Sequence, residues 1–476
     1  MNKPEFDLCI IGGGSGGLVA AAGGAALGAK VILIEKHALG GDCLYYGCVP
    51  SKALLHSAKV AHTIRTAQQF GIEANMPTVD IGAVMQRVAS VIKTIEPHDS
   101  PERFRGLGIE VLFGAGQFTD AQTFSVNGRA ITAKNFVIAT GSRPAIPKID
   151  GLESAPYLTN ETVFSLQKRV PSLIVLGAGP IGLEMAQAFC RLGTQVHVVQ
   201  RGKHILPRED SDIAAVALKQ LSDEGVQFYL EHTTLHVEGQ AGNLRLHVKS
   251  GASERTIHAT HLLIATGRRS NSDNLGLRNA GIALENGHIK VDERLRTTNR
   301  HVYACGDVTG GYQFTHMAEH QAGVILRNAL FHWPARVERR VIPWCTFTDP
   351  EIARVGLSET EAKDRGIKYR VYTFPFHDMD RAQTDGTTAG FAKIITDPKG
   401  RLLGAALAGP QAGELIHEYV LAMSRKMKAA DLSNFIHIYP TLAQINRRVA
   451  DVRRKEGLTP TAKKWIQYIF GLRGSN

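Results

Sequence analysis

Two cysteines with four residues between them, Cys43 and Cys48, sit in the stretch Gly40-Gly41-Asp42-Cys43-Leu44-Tyr45-Tyr46-Gly47-Cys48-Val49-Pro50-Ser51-Lys52. Thiols at this spacing form a reversible disulfide only if the backbone between them departs from a regular helix. Residues five apart on a helix lie about 140° around the axis and about 7.5 Å along it, beyond the ~5.5 Å Cα separation that a disulfide prefers. Gly47 permits such a distortion, and Pro50 and Ser51 suit the first turn of a helix running on through Ala53, Leu54, Ala58 and Ala61. A helix N-terminus beside Lys52 favours the thiolate, the species that attacks disulfides. Spacing alone leaves other readings open. A structural disulfide is unusual in a chain with six cysteines among 476 residues, none of the other four (Cys9, Cys190, Cys305, Cys345) forming a close pair. A zinc site needs about four ligands and a second pair that is missing here. Two unrelated buried thiols are the third alternative.

The elements that must position these thiols are written around them. Leu8 to Ile11 reads as an apolar strand, followed by Gly12, Gly14 and Gly17, a small-residue helix from Leu18 to Leu27, and a second strand, Val31 to Ile34, that ends in Glu35. This is the dinucleotide fingerprint in its full setting. The glycines let backbone and helix N-terminus approach a pyrophosphate, and Glu35 can accept from a ribose hydroxyl. A second copy follows: strand Leu173 to Leu176, glycines Gly177, Gly179 and Gly182, helix Leu183 to Leu192, strand Val196 to Val199. Gln200 and Arg201, with Lys203 behind, replace the acid there. Two units imply two dinucleotides, which suits electron transfer between a nicotinamide and a flavin. Two further segments repeat, Val137 to Pro144 and Leu263 to Arg269, each an apolar strand running into Ala-Thr-Gly, with Thr140-Gly141 in one and Thr266-Gly267 in the other. They are expected to close the two units. Val302 to Asp307 is a strand ending at an acid placed to hold a ribityl or pyrophosphate-linked hydroxyl, or else an ordinary turn.

The chain is long enough for about three domains, and 43% apolar residues is enough for real cores. No apolar run of about eighteen residues would span a membrane, and the residues from Met1 to Asp7 lack a signal-peptide pattern, so a cytoplasmic location is expected. The net charge of +11 suits anionic cofactors better than nucleic acid, since the basic residues are spread out except near the C-terminus and no nucleic-acid motif occurs. After Pro343 the pattern becomes mainly antiparallel strands (around Trp344 to Phe347, Tyr369 to Phe374, Phe391 to Ile395 and Leu402 to Leu407) followed by helices over Gly413 to Met427 and Thr441 to Glu456. Such an α+β unit is a natural dimerisation domain. Between Arg453 and Arg473, basic residues alternate with Trp465, Ile466, Ile469 and Phe470. That pattern fits an amphipathic membrane-surface helix, but a helix packing its aromatic face on the body is the preferred expectation.

Taken together, the two fingerprints, the Ala-Thr-Gly repeats, the Tyr303 to Asp307 segment and above all Gly40 to Lys52 resemble the flavoprotein pyridine-nucleotide disulfide oxidoreductases, over about Asp7 to Ala450. The resemblance implies an α/β fold with two Rossmann-like domains and a C-terminal α+β dimerisation domain. It divides the chain into an FAD domain (1–150, returning at 272–342), an NAD(P)H domain (151–271), an interface domain (343–450) and a basic tail (451–476). It implies FAD on Gly12, Gly14, Gly17, Glu35, Gly41, Lys52, Thr140, Gly141 and Asp307, and a nicotinamide dinucleotide on Gly177, Gly179, Gly182, Gln200, Arg201 and Gly267. Cys43 matches the thiol that meets substrate, Cys48 the thiol against the flavin, and Lys52 with Glu184 the pair beside the flavin ring. No metal site is implied.

A homodimer follows in which the interface domain of one subunit completes the other's site. There the lipoamide and glutathione enzymes carry His-Pro and, four residues after the proline, Glu; this chain has Tyr439, Pro440 and Gln444, with His437 out of register. Mercuric reductases are similar in the tyrosine and in Cys48-Val49-Pro50, yet end in a paired cysteine where this chain reads Gly471 to Asn476. The expectation is therefore an FAD enzyme exchanging electrons between NAD(P)H and a dithiol or disulfide. A mercuric-reductase-like enzyme is the alternative, and a flavoprotein with a binding role is the alternative of another class. NADPH is expected over NADH: members using NADH carry an acid at the Gln200 position, whereas Arg201 and Lys203 can pair with a 2′-phosphate, although Gly182 is more usual in NADH enzymes.

Overall fold

The computed structural model describes residues 3–474. They divide into two compact units, one made of residues up to 177, 188–199 and 232–337, the other of 178–187, 200–231 and residues from 338 onward.

The first unit is built on a parallel sheet. Strand β1 (Phe6–Ile11) pairs in parallel with β2 (Val31–Glu35), which pairs with β3 (Glu110–Phe113). On its other edge β1 pairs with the long β6 (Arg129–Ile138), which receives the strand Val302–Ala304, also in parallel. These strands read as continuous apolar runs because both faces are covered. Helices α1 (Ser15–Ala26) and Thr315–Leu330 share one core with Leu8, Ile10 and Val137. Phe118, Phe124 and Phe136 fill the other face, the first two with ring centroids 4.9 Å apart, edge to face. Strands β4 (Gly116–Phe118) and β5 (Thr123–Val126) extend β6 as an antiparallel meander. The consequence for the site is positional. The C-terminal ends of β1, β2, β6 and Val302–Ala304 deliver Gly12, Glu35, Thr140 and Asp307 to the edge at which open parallel sheets bind ligands.

The second fingerprint repeats the pattern. Strand β8 (Ser172–Leu176) lies in parallel between β9 (Gln195–Gln200) and His261–Ile264. Its helix runs from Pro180 to Arg191, three residues earlier than the apolar pattern suggests, because Pro180 supplies a ready first turn. The Ala-Thr-Gly repeats do more than close their own units: β7 (Ser142–Pro144) and Arg268–Ser270 pair with each other as an antiparallel ribbon. A three-stranded antiparallel sheet, from Thr233–Gln240 through Ser253–Ala259, was not expected from the sequence.

In the second unit five antiparallel strands run in the spatial order Pro343–Thr346, Glu351–Gly356, Leu402–Gly409, Phe391–Thr396, Arg370–Pro375. The strand Glu351–Gly356 was missed behind the Asp349-Pro350 turn signal. Tyr419 of helix Ala412–Ser424 and Ile445 and Val449 of helix Gln444–Glu456 are fully buried with the sheet residues. That last helix starts three residues later than expected. The fully buried Lys393 is matched by Asp212 and Glu359, both at 2.9 Å, and Asp210 at 3.1 Å. One expectation fails here: helix Pro460–Phe470 buries no residue, and Trp465 is 61% exposed, so its aromatic face does not pack on the body. No helix among the described residues is long and apolar enough to cross a membrane.

The glycines separate into those the fold needs and those it leaves open. A Cβ on Gly17 would lie 1.8 Å from the Gly12 carbonyl oxygen, whereas one on Gly179 would meet nothing within 4 Å. Gly17→Ala is therefore expected to cost about 3 kcal/mol or more and to yield protein depleted in flavin. Gly179→Ala should leave flavin content and the denaturation midpoint at wild-type values; a flavin count per chain and a urea titration check both.

Candidate active site

The cysteine motif folds as two helices. Helix α2 (Gly41–Tyr45) carries Cys43, helix α3 (Cys48–Thr66) begins at Cys48, and Tyr46 and Gly47 separate them. Gly47 suits the break because a Cβ there would sit 3.0 Å from the Asp42 carbonyl oxygen and 3.4 Å from the Cys43 Cα. The break brings the thiols together. Cys43 and Cys48 lie within hydrogen-bond reach of each other. A hydrogen bond with Cys48, followed by burial, pushes the Cys43 thiol well above its ordinary range. The thiolate expected from the helix start thus does not extend to Cys43, which lies in the preceding helix. Cys48 holds the first position of α3, where a helix favours an anion, and its Sγ lies 3.7 Å from the Thr315 hydroxyl.

The glycine loop meets this motif as bare backbone. Gly12, at φ +108°, has the Ala139 carbonyl 2.4 Å from a hypothetical Cβ, and a Cβ on Gly41, at φ +60°, would come within 2.8 Å of the Gly14 Cα. The Gly40 N–H donates to the Gly13 carbonyl at 2.9 Å. Helix α1 follows its N-cap Gly14 with no side-chain cap and no acid in its first turn, so its first N–H groups meet no negative side chain of that helix. The Glu35 carboxylate stands at the end of β2, accepting from the Gly13 N–H at 2.7 Å and the His37 N–H at 2.8 Å.

Residues for which sequence reading assigned no role hold the site together. Arg268, just past Gly267, donates to Asp42 at 3.0 Å and to the Ser142 hydroxyl at 2.6 Å, and lies 3.7 Å from Asp307. The Ser142 hydroxyl in turn donates to Asp307. Burial raises the Asp307 carboxyl above the usual range, the Ser142 hydrogen bond and Arg268 pull it back, and Asp42 adds to the rise. Asn271 locks the first repeat, its amide donating to the Thr140 carbonyl at 2.9 Å while its N–H donates to the Gly141 carbonyl. Arg268 was visible only as the basic residue after a repeat; Asp42, Ser142, Asn271 and Thr315 carry no local signal. Beside Cys48 a pocket of about 380 Å³ is lined by Lys52, His56 and Arg87 among apolar residues of α3 and α4 (Ile81–Ile95). Arg87 donates to the Ala53 carbonyl at 3.1 Å and Lys52 to the Ser51 hydroxyl at 3.3 Å.

Of the remaining candidates, Gly177 and Gly267 lie in the first unit and the others in the second, each in its own setting. Gly179 and Gly182 flank the start of helix Pro180–Arg191, and the buried Glu184 accepts from the Phe347 N–H at 3.0 Å. Gln200 lies across the glycine turn, accepting from the Ala178 N–H at 3.4 Å, and Arg201 and Lys203 are exposed. Tyr439 is 64% exposed, and its hydrogen bond to Asp380 raises its hydroxyl above the ordinary range. His437 faces acceptors with both ring nitrogens, the Phe435 carbonyl at 3.1 Å and the Glu418 carboxylate at 3.0 Å.

A parallel sheet with a glycine-lined ligand edge and a dithiol set against it defines a dinucleotide-dependent thiol oxidoreductase. Residues 6–322 match the pyridine nucleotide-disulphide oxidoreductase family and residues 342–449 match that family's dimerisation domain. The chain belongs to this family, whose members are FAD-containing and NAD(P)H-dependent. It is 34% identical to a mercuric reductase of Bacillus cereus over 442 residues, 92% of this chain and 70% of that one. It is 35% identical to a dihydrolipoyl dehydrogenase of Chlamydia muridarum over 452 residues, 94% of this chain and 96% of that one. Among solved structures, the Cu(II) complex of the HOCl-induced flavoprotein disulfide reductase RclA from Escherichia coli superposes with a TM-score of 0.84 at 28% identity, covering 95% of this chain and all of that one. The groove fits FAD: glycine backbone and uncapped N–H groups for the pyrophosphate, and Glu35 and Asp307 as acceptors for hydroxyls.

Since Cys48 is the main cause of the raised Cys43 thiol, Cys48→Ser should lower it. More thiolate at neutral pH then means faster alkylation. Iodoacetamide labelling of Cys43 in the reduced enzyme should accelerate at pH 7, with its pH midpoint moved down; an unchanged profile would assign the shift to burial alone.

Proposed function

We propose that this chain reduces a disulfide substrate with electrons from NADPH through Cys43 and Cys48, as a homodimer. The carrying observation is the hydrogen-bonded cysteine pair at the break between α2 and α3, one glycine contact away from the dinucleotide cradle. Cys43 attacks one substrate sulfur as it gives up its proton, forming a mixed disulfide and releasing the other sulfur as a thiolate that takes that proton up. The Cys48 thiolate then attacks the Cys43 Sγ, releasing the second substrate thiolate and closing the Cys43–Cys48 disulfide. One substrate disulfide becomes two thiols and one protein dithiol becomes a disulfide. FAD, when bound, supplies the two-electron relay from the nicotinamide that restores the dithiol. Lys52 and Glu184 are assigned to the flavin–nicotinamide side; a lysine cation favours an anionic reduced ring.

Tyr439 of the partner subunit is assigned to the substrate proton. Its hydroxyl is held protonated by Asp380, so on turning from Asp380 it donates to a departing thiolate but does not take a proton from an incoming thiol. That asymmetry favours disulfide reduction over dithiol oxidation. His437 is a poor substitute because both ring nitrogens are engaged. The second reading, reduction of a soft metal ion held as a dithiolate, is favoured by the mercuric reductase relatives and the Cu(II) complex of RclA.

NADPH should expose two more titratable thiols per chain than the oxidised enzyme shows, an increment that is lost in Cys43→Ser. Arg201→Ala should lower kcat/KM for NADPH about 10- to 100-fold, the worth of a hydrogen bond to a charged group, and leave NADH unchanged. Equal losses with both nucleotides would remove the 2′-phosphate role.

The Tyr439 assignment has its own test. Tyr439→His with Gln444→Glu should raise turnover of lipoamide or glutathione disulfide, by up to about 10²-fold if general acid–base help is restored. His437→Ala should leave wild-type activity nearly intact; high wild-type lipoamide turnover that collapses in this variant would reverse the two roles. Parallel assays with Hg²⁺ and Cu²⁺ separate the metal reading.

A further inference from the structure

The helix Pro460–Phe470 is specified at both ends and covered on no side. The Thr459 hydroxyl accepts from the Ala462 N–H at 3.1 Å, Pro460 sits in the first turn, and Gly471 closes the helix in the left-handed conformation at φ +62°. An isolated helix of eleven residues is marginal in water even with good caps. Native helices of this length draw their stability from burying an apolar face, and this one buries no residue. Its residues nevertheless segregate. At 100° per residue Trp465, Ile469 and Ile466 fall within one arc, Phe470 lies at its edge beside Lys463, and Lys464 and Gln467 fall on the other side. The apolar side is exposed: Trp465 61%, Ile469 63% and Phe470 71%, with Trp465 and Tyr468 in edge-to-face contact at 6.3 Å. The helix lies beyond residue 449, where the match to the family's dimerisation domain stops.

Charge identifies what would cover this face. Residues 444–473 hold eight Lys and Arg against two acids, in a chain whose whole net charge is +11. A second copy docking through the same face would set these cations against themselves, since a two-fold interface presents one patch to its own image. An anionic lipid surface meets both halves of the pattern. Aromatic and aliphatic side chains enter the boundary between headgroups and acyl chains, while Lys463 at the border of that face, Lys464 on the other side, and the Arg454 and Lys455 that precede them stay at the phosphate level. We infer that helix Pro460–Phe470 is a membrane-surface anchor, which seats the enzyme peripherally on an anionic bilayer without spanning it.

Co-sedimentation of the purified flavin-loaded full chain with vesicles of phosphatidylcholine alone, or of phosphatidylcholine with phosphatidylglycerol at about three to one, tests this. Binding is expected to the anionic vesicles only, and is expected to weaken as salt is raised. Lys463→Gln with Lys464→Gln should weaken it about thirtyfold, at the usual worth of a basic residue near such a surface. Trp465→Ser with Ile469→Ser should abolish it, and NADPH oxidation in solution should remain at wild-type rates in both variants. Because all four side chains are exposed, flavin content serves as the folding check. Equal binding to neutral vesicles, or no binding to either, overturns the inference. So does a Trp465→Ser/Ile469→Ser protein that changes oligomeric state by light scattering, which would give the face to a second copy.

Discussion

The contact on which the site depends is between two stretches of backbone that carry no side chains. Gly14, at the start of α1, and Gly41, at the start of α2, approach so closely that a single methyl group on Gly41 would collide with the Gly14 Cα. The glycine loop therefore serves two partners at once. Its N–H groups are presented to a pyrophosphate, and its outer surface sets the height at which the cysteine motif begins. The Gly40 N–H bound to the Gly13 carbonyl fixes that height in register. The glycine loop and the start of α2 thus share one close-packed backbone contact, with no side chain between them to absorb a displacement.

Charge ties the same place together from farther along the chain. Asp42 precedes Cys43, Ser142 follows the first Ala-Thr-Gly, Arg268 follows the second, and Asp307 ends the strand Val302–Ala304 region; the four meet around one guanidinium. Two carboxylates this close repel, and both would be costly to bury alone. Arg268 neutralises them with a planar fork whose donors reach Asp42 and Ser142 simultaneously. The ribbon that joins β7 to Arg268–Ser270 aims that guanidinium. The repeats thus have a reason to be alike: each ends at a turn from which a short strand can pair with its counterpart.

This division explains what could be read from the sequence. Gly12, Gly17, Glu35 and the helix break at Gly47 are local requirements, since a positive φ, a missing Cβ or a strand end is written in adjacent residues. Strand Glu351–Gly356 and the start of helix Gln444–Glu456 were harder, because turn signals at Asp349-Pro350 and Tyr439-Pro440 hide how soon order resumes. The Asp42–Arg268–Asp307 cluster was not legible at all. Asp42 stands more than two hundred residues before Arg268 and Asp307, and only the sheet order makes them neighbours. The packing expected of helix Pro460–Phe470 failed for the opposite reason: amphipathic periodicity says that a face seeks cover, but not that the chain itself supplies it.

The setting of Tyr439 shows how the same local logic bears on chemistry. The residues around it are not a damaged copy of an imidazole–carboxylate pair. A histidine–glutamate pair does exist two residues earlier, in His437 and Glu418, but Asn446 donates to the same carboxylate at 2.8 Å and the histidine side chain is 8% exposed. With the Phe435 carbonyl on its other nitrogen, His437 is used as a buried brace that holds the segment before Pro440 against helix Ala412–Ser424. An imidazole committed on both sides cannot exchange a proton with a substrate without breaking that brace. Tyr439 has the complementary properties: its hydroxyl is exposed, it has one acceptor in Asp380, and it holds its proton. The segment thus carries a tyrosine whose proton is shared with Asp380 and a histidine occupied at both ring nitrogens.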